Sequence, residues 1–160
     1  MNLKEMFSTV QTILVIDWPS REVPETLARA GFHVVVRGGL GPEDYSAYEL
    51  DSSQDLSQNL AQNHAQNPGE VVVRHIGRSP ERADLIYSYR PLSELSGIIT
   101  TAKRLGAHTI WTQSGLSAAG VNDPKGCWVA EAELRLVRNL VESAGLRYIT
   151  GPYIGGVAQR

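Results

Sequence analysis

The sequence holds one cysteine, Cys127, so an intrachain disulfide cannot form and a cysteine-rich zinc site is excluded. A lone thiol suits a reducing compartment. The four histidines, His33, His64, His75 and His108, stand in no ligand spacing with one another or with a carboxylate, so no metal is expected. Long hydrophobic runs are also missing. None approaches the roughly 20 apolar residues of a membrane span. The stretch from Met1 to Gln11 lacks the apolar core of about 7–15 residues that a signal peptide needs. The expected location is the cytoplasm. Neither sign of charge is in excess, with a formal net charge of −2. That balance favours neither a nucleic-acid nor an anionic-membrane partner, and it leaves a protein partner open. The phosphate-binding and nucleophile signatures GxGxxG, GxxxxGK[ST] and GxSxG are absent.

What is present is the composition of one globular domain. In 160 residues, 42% are hydrophobic and 20% charged, enough to bury a sizeable core. Five short apolar runs stand out: Thr12–Ile16, His33–Val36, Val71–Val73, Leu85–Tyr87 and Thr109–Trp111, with Arg147–Ile149 as a weaker sixth. Continuous rather than alternating runs predict strands covered on both faces, as in a parallel sheet.

Helical periods lie between them. Val23, Leu27 and Ala30 mark one helix, stopped by Gly31. Leu95, Ile98, Ile99, Ala102 and Leu105 mark a second, stopped by Gly106, with Lys103 and Arg104 at the negative end of its dipole. A third runs from Trp128 to Ala144, with Val129, Ala132, Leu136, Val137, Leu140, Val141 and Ala144 on one face and Gly145 after it. The alternation predicts an α/β fold: a Rossmann-like, doubly wound, mainly parallel sheet of five to six strands with helices on both faces. Ligands of such sheets sit on the loops at the C-terminal strand ends.

Residues from about 38 to 70 break this rhythm and read as a variable insertion into the single domain spanning 1–160. They open with Gly38-Gly39-Leu40-Gly41-Pro42 and pass an aromatic stretch, Tyr45 to Leu50, that could pair with Val71–Val73. A tetrapeptide repeat follows, with Leu56, Leu60 and His64 at its fourfold spacing. Two readings stay open for that repeat: a helical cover over a cleft, or a mobile polar segment.

Candidate ligand groups follow from position. After the first strand comes Asp17-Trp18-Pro19-Ser20-Arg21. Ser20 could cap the next helix and Arg21 could meet an anion, whereas Pro24 favours a later helix start. Tyr89-Arg90-Pro91 puts an arginine in a proline-fixed turn after the fourth run. Cys127 precedes the last long helix beside Lys125, a setting that could lower a thiol pKa, although no base is placed near it in the sequence. A packed cysteine is the alternative.

These pieces, taken in order, resemble the CoA-binding domain family, small Rossmann-like proteins also found as a domain of acyl-CoA synthetases. The resemblance is carried by Ser20-Arg21, Ala30-Gly31-Phe32, Tyr89-Arg90-Pro91, Leu105-Gly106-Ala107, Trp111-Thr112-Gln113-Ser114-Gly115 and Ala144-Gly145-Leu146. It implies binding of coenzyme A, or a related adenine nucleotide, without chemistry of the domain's own. On that resemblance Ser20 and Arg21 would meet the pyrophosphate, and Gly38 and Gly39 the adenosine end. Arg90 would line the cleft, with Gln113 and Gly115 as its floor. Arg37 would add charge where the family has an Asn-Pro pair. Asp17 stands where the family's first turn begins with glycine, and Thr150-Gly151-Pro152-Tyr153 where it often carries a cysteine. Two further readings compete: an acyl-CoA-handling enzyme using Cys127 or a partner, and a scaffold of the same fold that has lost its ligand.

Overall fold

In the computed structural model, residues 2–17, 21–38, 44–50 and 70–158 are described. The apolar runs form β1 (Thr12–Ile16), β2 (His33–Arg37), β4 (Val71–His75), β5 (Leu85–Ser88), β6 (Thr109–Thr112) and β7 (Arg147–Ile149), and Tyr45–Leu50 adds β3. The helices are α1 (Leu3–Ser8), α2 (Glu22–Arg29), α3 (Leu95–Leu105, entered by a 3₁₀ turn at Leu92–Glu94), α4 (Glu131–Ser143) and the short α5 (Ile154–Val157).

All seven strands join one sheet in the order β4-β3-β2-β1-β5-β6-β7. Four neighbour pairs, from β2 through β7, are parallel, and the β2–β3 and β3–β4 pairs are antiparallel. The expectation of five to six mainly parallel strands is therefore corrected to a mixed sheet of seven. The difference comes from β3. It pairs with β4 as expected (Tyr48 opposite Val73), but it also pairs with β2 (Val34 opposite Tyr48), which leaves β4 as the edge. The tetrapeptide repeat lies outside the described residues.

Because successive strand side chains point to opposite faces, β1 splits its own apolar run between two cores. Ile13 and Val15 pack with Val23 and Leu27 of α2, with Phe7 of α1 and with Trp111. Leu14 and Ile16 pack with Leu95, Ile98 and Ala102 of α3 and Val137 and Val141 of α4. Helices thus cover both faces, and the strands between them are buried on each side.

Two helices differ in detail from their sequence reading. α2 starts at Glu22 with Arg21 at its N-cap and no side-chain cap, and Pro24 sits in the first turn, where its missing N–H has no intrahelical partner to lose. α4 begins at Glu131 and buries Val137 and Val141, with Leu134 and Ala144 packed beside them. Leu136 is 61% exposed and Leu140 is exposed too, so the expected apolar face is rotated toward Leu134. Gly106 closes α3 in the left-handed conformation at φ 76°, as its stop position predicts. Lys103, in the last turn of α3, donates to the carbonyl of Ala144 at 2.6 Å, so its charge sits at the carbonyl end of α4.

Candidate functional site

The five parallel strands end on one edge, and the strand order reverses between β1 and β5. β2 lies on one side of β1 and the later strands on the other. In open α/β sheets such a reversal opens a crevice. The residues leaving it are Asp17 after β1, Gly38 after β2 and Tyr89-Arg90 after β5.

Arg90 is the centre of this edge. Its Nε lies 3.3 Å from an Asp17 carboxylate oxygen, and its guanidinium also donates to Glu94 at the start of α3. Its backbone N–H donates to Ser88 Oγ at 3.1 Å, which fixes the turn. Hydrogen bonding to Glu94 raises the guanidinium pKa above its usual range, so Arg90 stays charged. It lines two clefts. One, of about 340 Å³, also has Ile16, Arg37, Glu94, Ser96 and Thr101 in its wall. The other, of about 450 Å³, runs between the ends of β5 and β6 past Tyr89, Thr112, Gln113, Ser114 and Glu133.

Asp17 adopts φ 54°, the one described non-glycine residue at positive φ, and donates its N–H to the Arg37 carbonyl at 2.7 Å. An L-residue is strained there and glycine is not. The turn therefore has the shape a glycine would take, with a carboxylate added.

Gln113 lines the larger cleft but is only 2% exposed, and both ends of its amide are engaged. Its Oε1 accepts from the Tyr87 hydroxyl and its Nε2 donates to the Pro124 carbonyl. It works as a strut for the loop between β6 and α4. That loop is bonded to itself: Ser114 and Gly115 N–H donate to the Gly126 carbonyl at 3.2 and 3.0 Å, and Trp128 N–H donates to Leu116 at 3.1 Å. The strands of the loop cross so closely at Gly126 that a Cβ there would lie 1.9 Å from the Leu116 carbonyl oxygen. Gly115, at φ 75°, is pressed against Tyr89, whose hydroxyl would be 2.7 Å from a Cβ. The Asp123-Pro124-Lys125-Gly126 turn carries Lys125 across the edge, 3.0 Å from Glu22 of α2 and 5.4 Å from the Tyr153 ring centre. Sequence reasoning missed this tie. Its local signal was the Asp-Pro-x-Gly turn, but Glu22 is a hundred residues away.

Cys127 is buried beneath the same loop, 4.0 Å from the Tyr87 hydroxyl. Burial pushes its pKa up to about 11 and raises Tyr87 further still. At neutral pH it is a protonated, packed thiol, the opposite of an activated nucleophile.

Of the remaining candidates, Arg37 and Gly38 are exposed at the end of β2, and Arg37 meets Arg90 at the smaller cleft. Arg21 faces elsewhere. It lies 2.9 Å from Glu25 and 5.6 Å from the Tyr48 ring centre, and Tyr48 belongs to the α2 side of the sheet. Ser20 and Gly39 lie outside the described residues. Among the described residues, no three His, Cys, Asp or Glu side chains gather as a metal site would need, and no helix is long and apolar enough to cross a membrane.

The geometry defines a mixed-sheet α/β protein with an arginine-bearing crevice at its strand ends. No family model matches the chain, and no curated protein does. A solved structure, "The structure of cell-free ID.343 from Thermus thermophilus", is similar over 98% of this chain and 96% of its own, with a TM-score of 0.51 at 19% identity. At that identity the likeness shows the fold.

Proposed function

We propose that this chain binds coenzyme A, or a related adenine nucleotide, without chemistry of its own, in the crevice at the C-terminal strand ends of a Rossmann-like core. The observation that carries this reading is the meeting of Arg37 and Arg90 in one open cleft where the strand order reverses. Two guanidiniums there present fork-shaped donors suited to phosphate. The glycine-like backbone of Asp17 also supports it, because the first turn keeps the conformation that lets a ligand approach closely. The packed, protonated Cys127 supports a binding rather than a catalytic role. The same reading places the protein in the cytoplasm, where a lone thiol stays reduced.

The test is calorimetric titration of CoA, dephospho-CoA, ADP and NAD into the wild type and Arg90→Ala, at fixed and stated salt. CoA should bind best, since its 3′-phosphate adds charge that NAD lacks. Arg90→Ala should weaken it roughly ten- to a hundredfold, as the loss of a charge-assisted contact does, with an unchanged melting temperature. One observation favours the scaffold reading: the Asp17 carboxylate, 3.3 Å away, already partners Arg90. Absence of heat from every ligand at millimolar concentration would select that reading.

A further inference from the structure

On the sheet face that carries α3, beside β4, lies a cleft of about 570 Å³ that shares no lining residue with the two at the strand-end edge. Arg74, Arg78 and Arg82 line it together with His33 and His75, against one lining carboxylate, Glu81. The lining itself is basic, with Glu49 and Asp84 set beside Arg74 and Arg82 rather than in the wall, and a concave wall concentrates the field of the cations that face it.

The arginines are unevenly committed. Arg74 donates to Glu49 at 3.2 Å, a carboxylate that also lies 3.6 Å from His33 Nδ1, whereas Arg82 lies 3.7 Å from Asp84. Both arginines are exposed, and such pairs exchange readily for a stronger anion. The other oxygen of Asp84 already accepts from the N–H groups of Gln11 and Thr12, at 2.9 and 3.0 Å. Arg78 has no carboxylate partner among the described residues. The wall beneath these side chains is held in place. Ile76 and Gly77 donate to the Tyr45 carbonyl at 2.9 and 3.3 Å, and Arg104 of α3 donates to Ser79 Oγ at 3.3 Å.

The geometry points to a second anion site in this cleft, taking a compact molecule that carries two or more phosphate groups. Three guanidiniums around one concavity suit several phosphate oxygens at once. The volume lies within the range of small-ligand pockets. Among the described residues no Phe, Tyr or Trp lines the cleft, and its polar groups are chiefly guanidiniums, so the recognition rests on phosphate contacts.

The probe is inorganic pyrophosphate, titrated by calorimetry and by amide chemical-shift mapping at low and moderate salt into the wild type, Arg78→Ala, Arg74→Gln and Arg90→Ala. Expected are shifts at Gly77–Arg82, affinity falling with salt, and a loss of about tenfold or more in Arg78→Ala. Arg74→Gln should weaken the response at Gly77–Arg82 as well, and Arg90→Ala should leave that response unchanged whatever binding it removes at the strand-end edge, with the melting temperatures of all variants preserved. Lack of saturable binding at millimolar pyrophosphate overturns the proposal. So does binding that Arg90→Ala abolishes and Arg78→Ala does not, which would put the phosphate at the strand-end edge. A single-stranded RNA that displaces pyrophosphate and shifts the same amides more tightly would overturn the small-molecule assignment. The proposal stands or falls separately from CoA binding, because each arginine variant reports on one cleft.

Discussion

Val15 on β1 and Val72 on β4 sit in similar valine-rich runs, yet one is fully buried and the other is 47% exposed. β1 has a strand on each side and helices over both faces, whereas β4 has a neighbour on one side only. A continuous apolar run therefore announces a strand without announcing its depth. Depth comes from the place the strand takes in the sheet order, and that place is set by pairings distant in sequence. The parallel half holds the fully buried strands, and the antiparallel margin is the more exposed part, where Leu50, Val72 and Val73 meet solvent beside the basic cleft.

The sharpest way to break this contrast is Leu14→Ala in the parallel half. Leu14 has no exposed surface and packs between β2, β5 and the α3–α4 layer. The truncation should cost about 2–5 kcal/mol in chemical denaturation, as buried leucines do. A loss under about 1 kcal/mol would show that the parallel half is not where the stability lies.

Next comes the loop that closes the edge of that half. Gly126→Ala places a Cβ against backbone rather than against a flexible side chain. It should cost about 1–3 kcal/mol by overpacking and should also disturb the Gln113–Pro124 contact. Gly97→Ala, in α3 with open space around it, should instead stabilise by about 0.5–1 kcal/mol. Opposite signs for the two glycine replacements, read from the same thermal melts, are the expected outcome.

The buried Cys127–Tyr87 pair makes the parallel half sensitive to alkali. Both groups are neutral when protonated, and both folded-state pKa values are raised, chiefly by burial. The unfolded chain then binds fewer protons than the native one once pH exceeds the ordinary thiol value. Stability should fall as pH rises from about 9 toward about 11. Native Cys127 should correspondingly resist alkylation at neutral pH and react on denaturation. Rapid native labelling would contradict its packed position.

A smaller effect is expected from Asp17→Gly, which removes a strained left-handed residue and frees Arg90 from one of its two carboxylates. Stability should change by less than about 1 kcal/mol, and CoA affinity should rise between about two- and tenfold. Weaker binding would mean that the Asp17–Arg90 contact positions the arginine for its ligand. Smallest of all, Val72→Ala on the edge strand should stay within about 0.5 kcal/mol of wild type.

Much of this architecture was legible in the residues alone. The β-branched runs at Thr12–Ile16 and Thr109–Trp111 and the helical spacing of Leu95 to Leu105 with Gly106 behind it are local patterns, and the elements appear where they predict. Arg90 was also legible as a residue leaving a strand end, since a strand followed by Pro marks its own exit, and Gln113 and Gly115 were named by the family resemblance. Their roles were not legible. Gln113 looked available for a ligand and is instead spent on Tyr87 and Pro124. Arg21 was read as a residue meeting an anion at the strand-end edge and lies on the α2 side of the sheet over Tyr48. The α4 period admitted Leu136 and Leu140 to its apolar face, and packing chose Leu134, Val137 and Val141.

By itself, then, the sequence determined the strands and the three longer helices, because backbone preference and hydrophobic period act within a few residues, while the short α1 and α5 carried too few turns to show a period. Only the tertiary structure decided that β3 lies between β2 and β4, that Lys125 reaches Glu22, and that Arg78 and Arg90 line different clefts. Those are matters of non-local pairing. A strand's neighbours and a side chain's surroundings are chosen by the total burial and hydrogen bonding of the whole sheet, which no short stretch of sequence encodes.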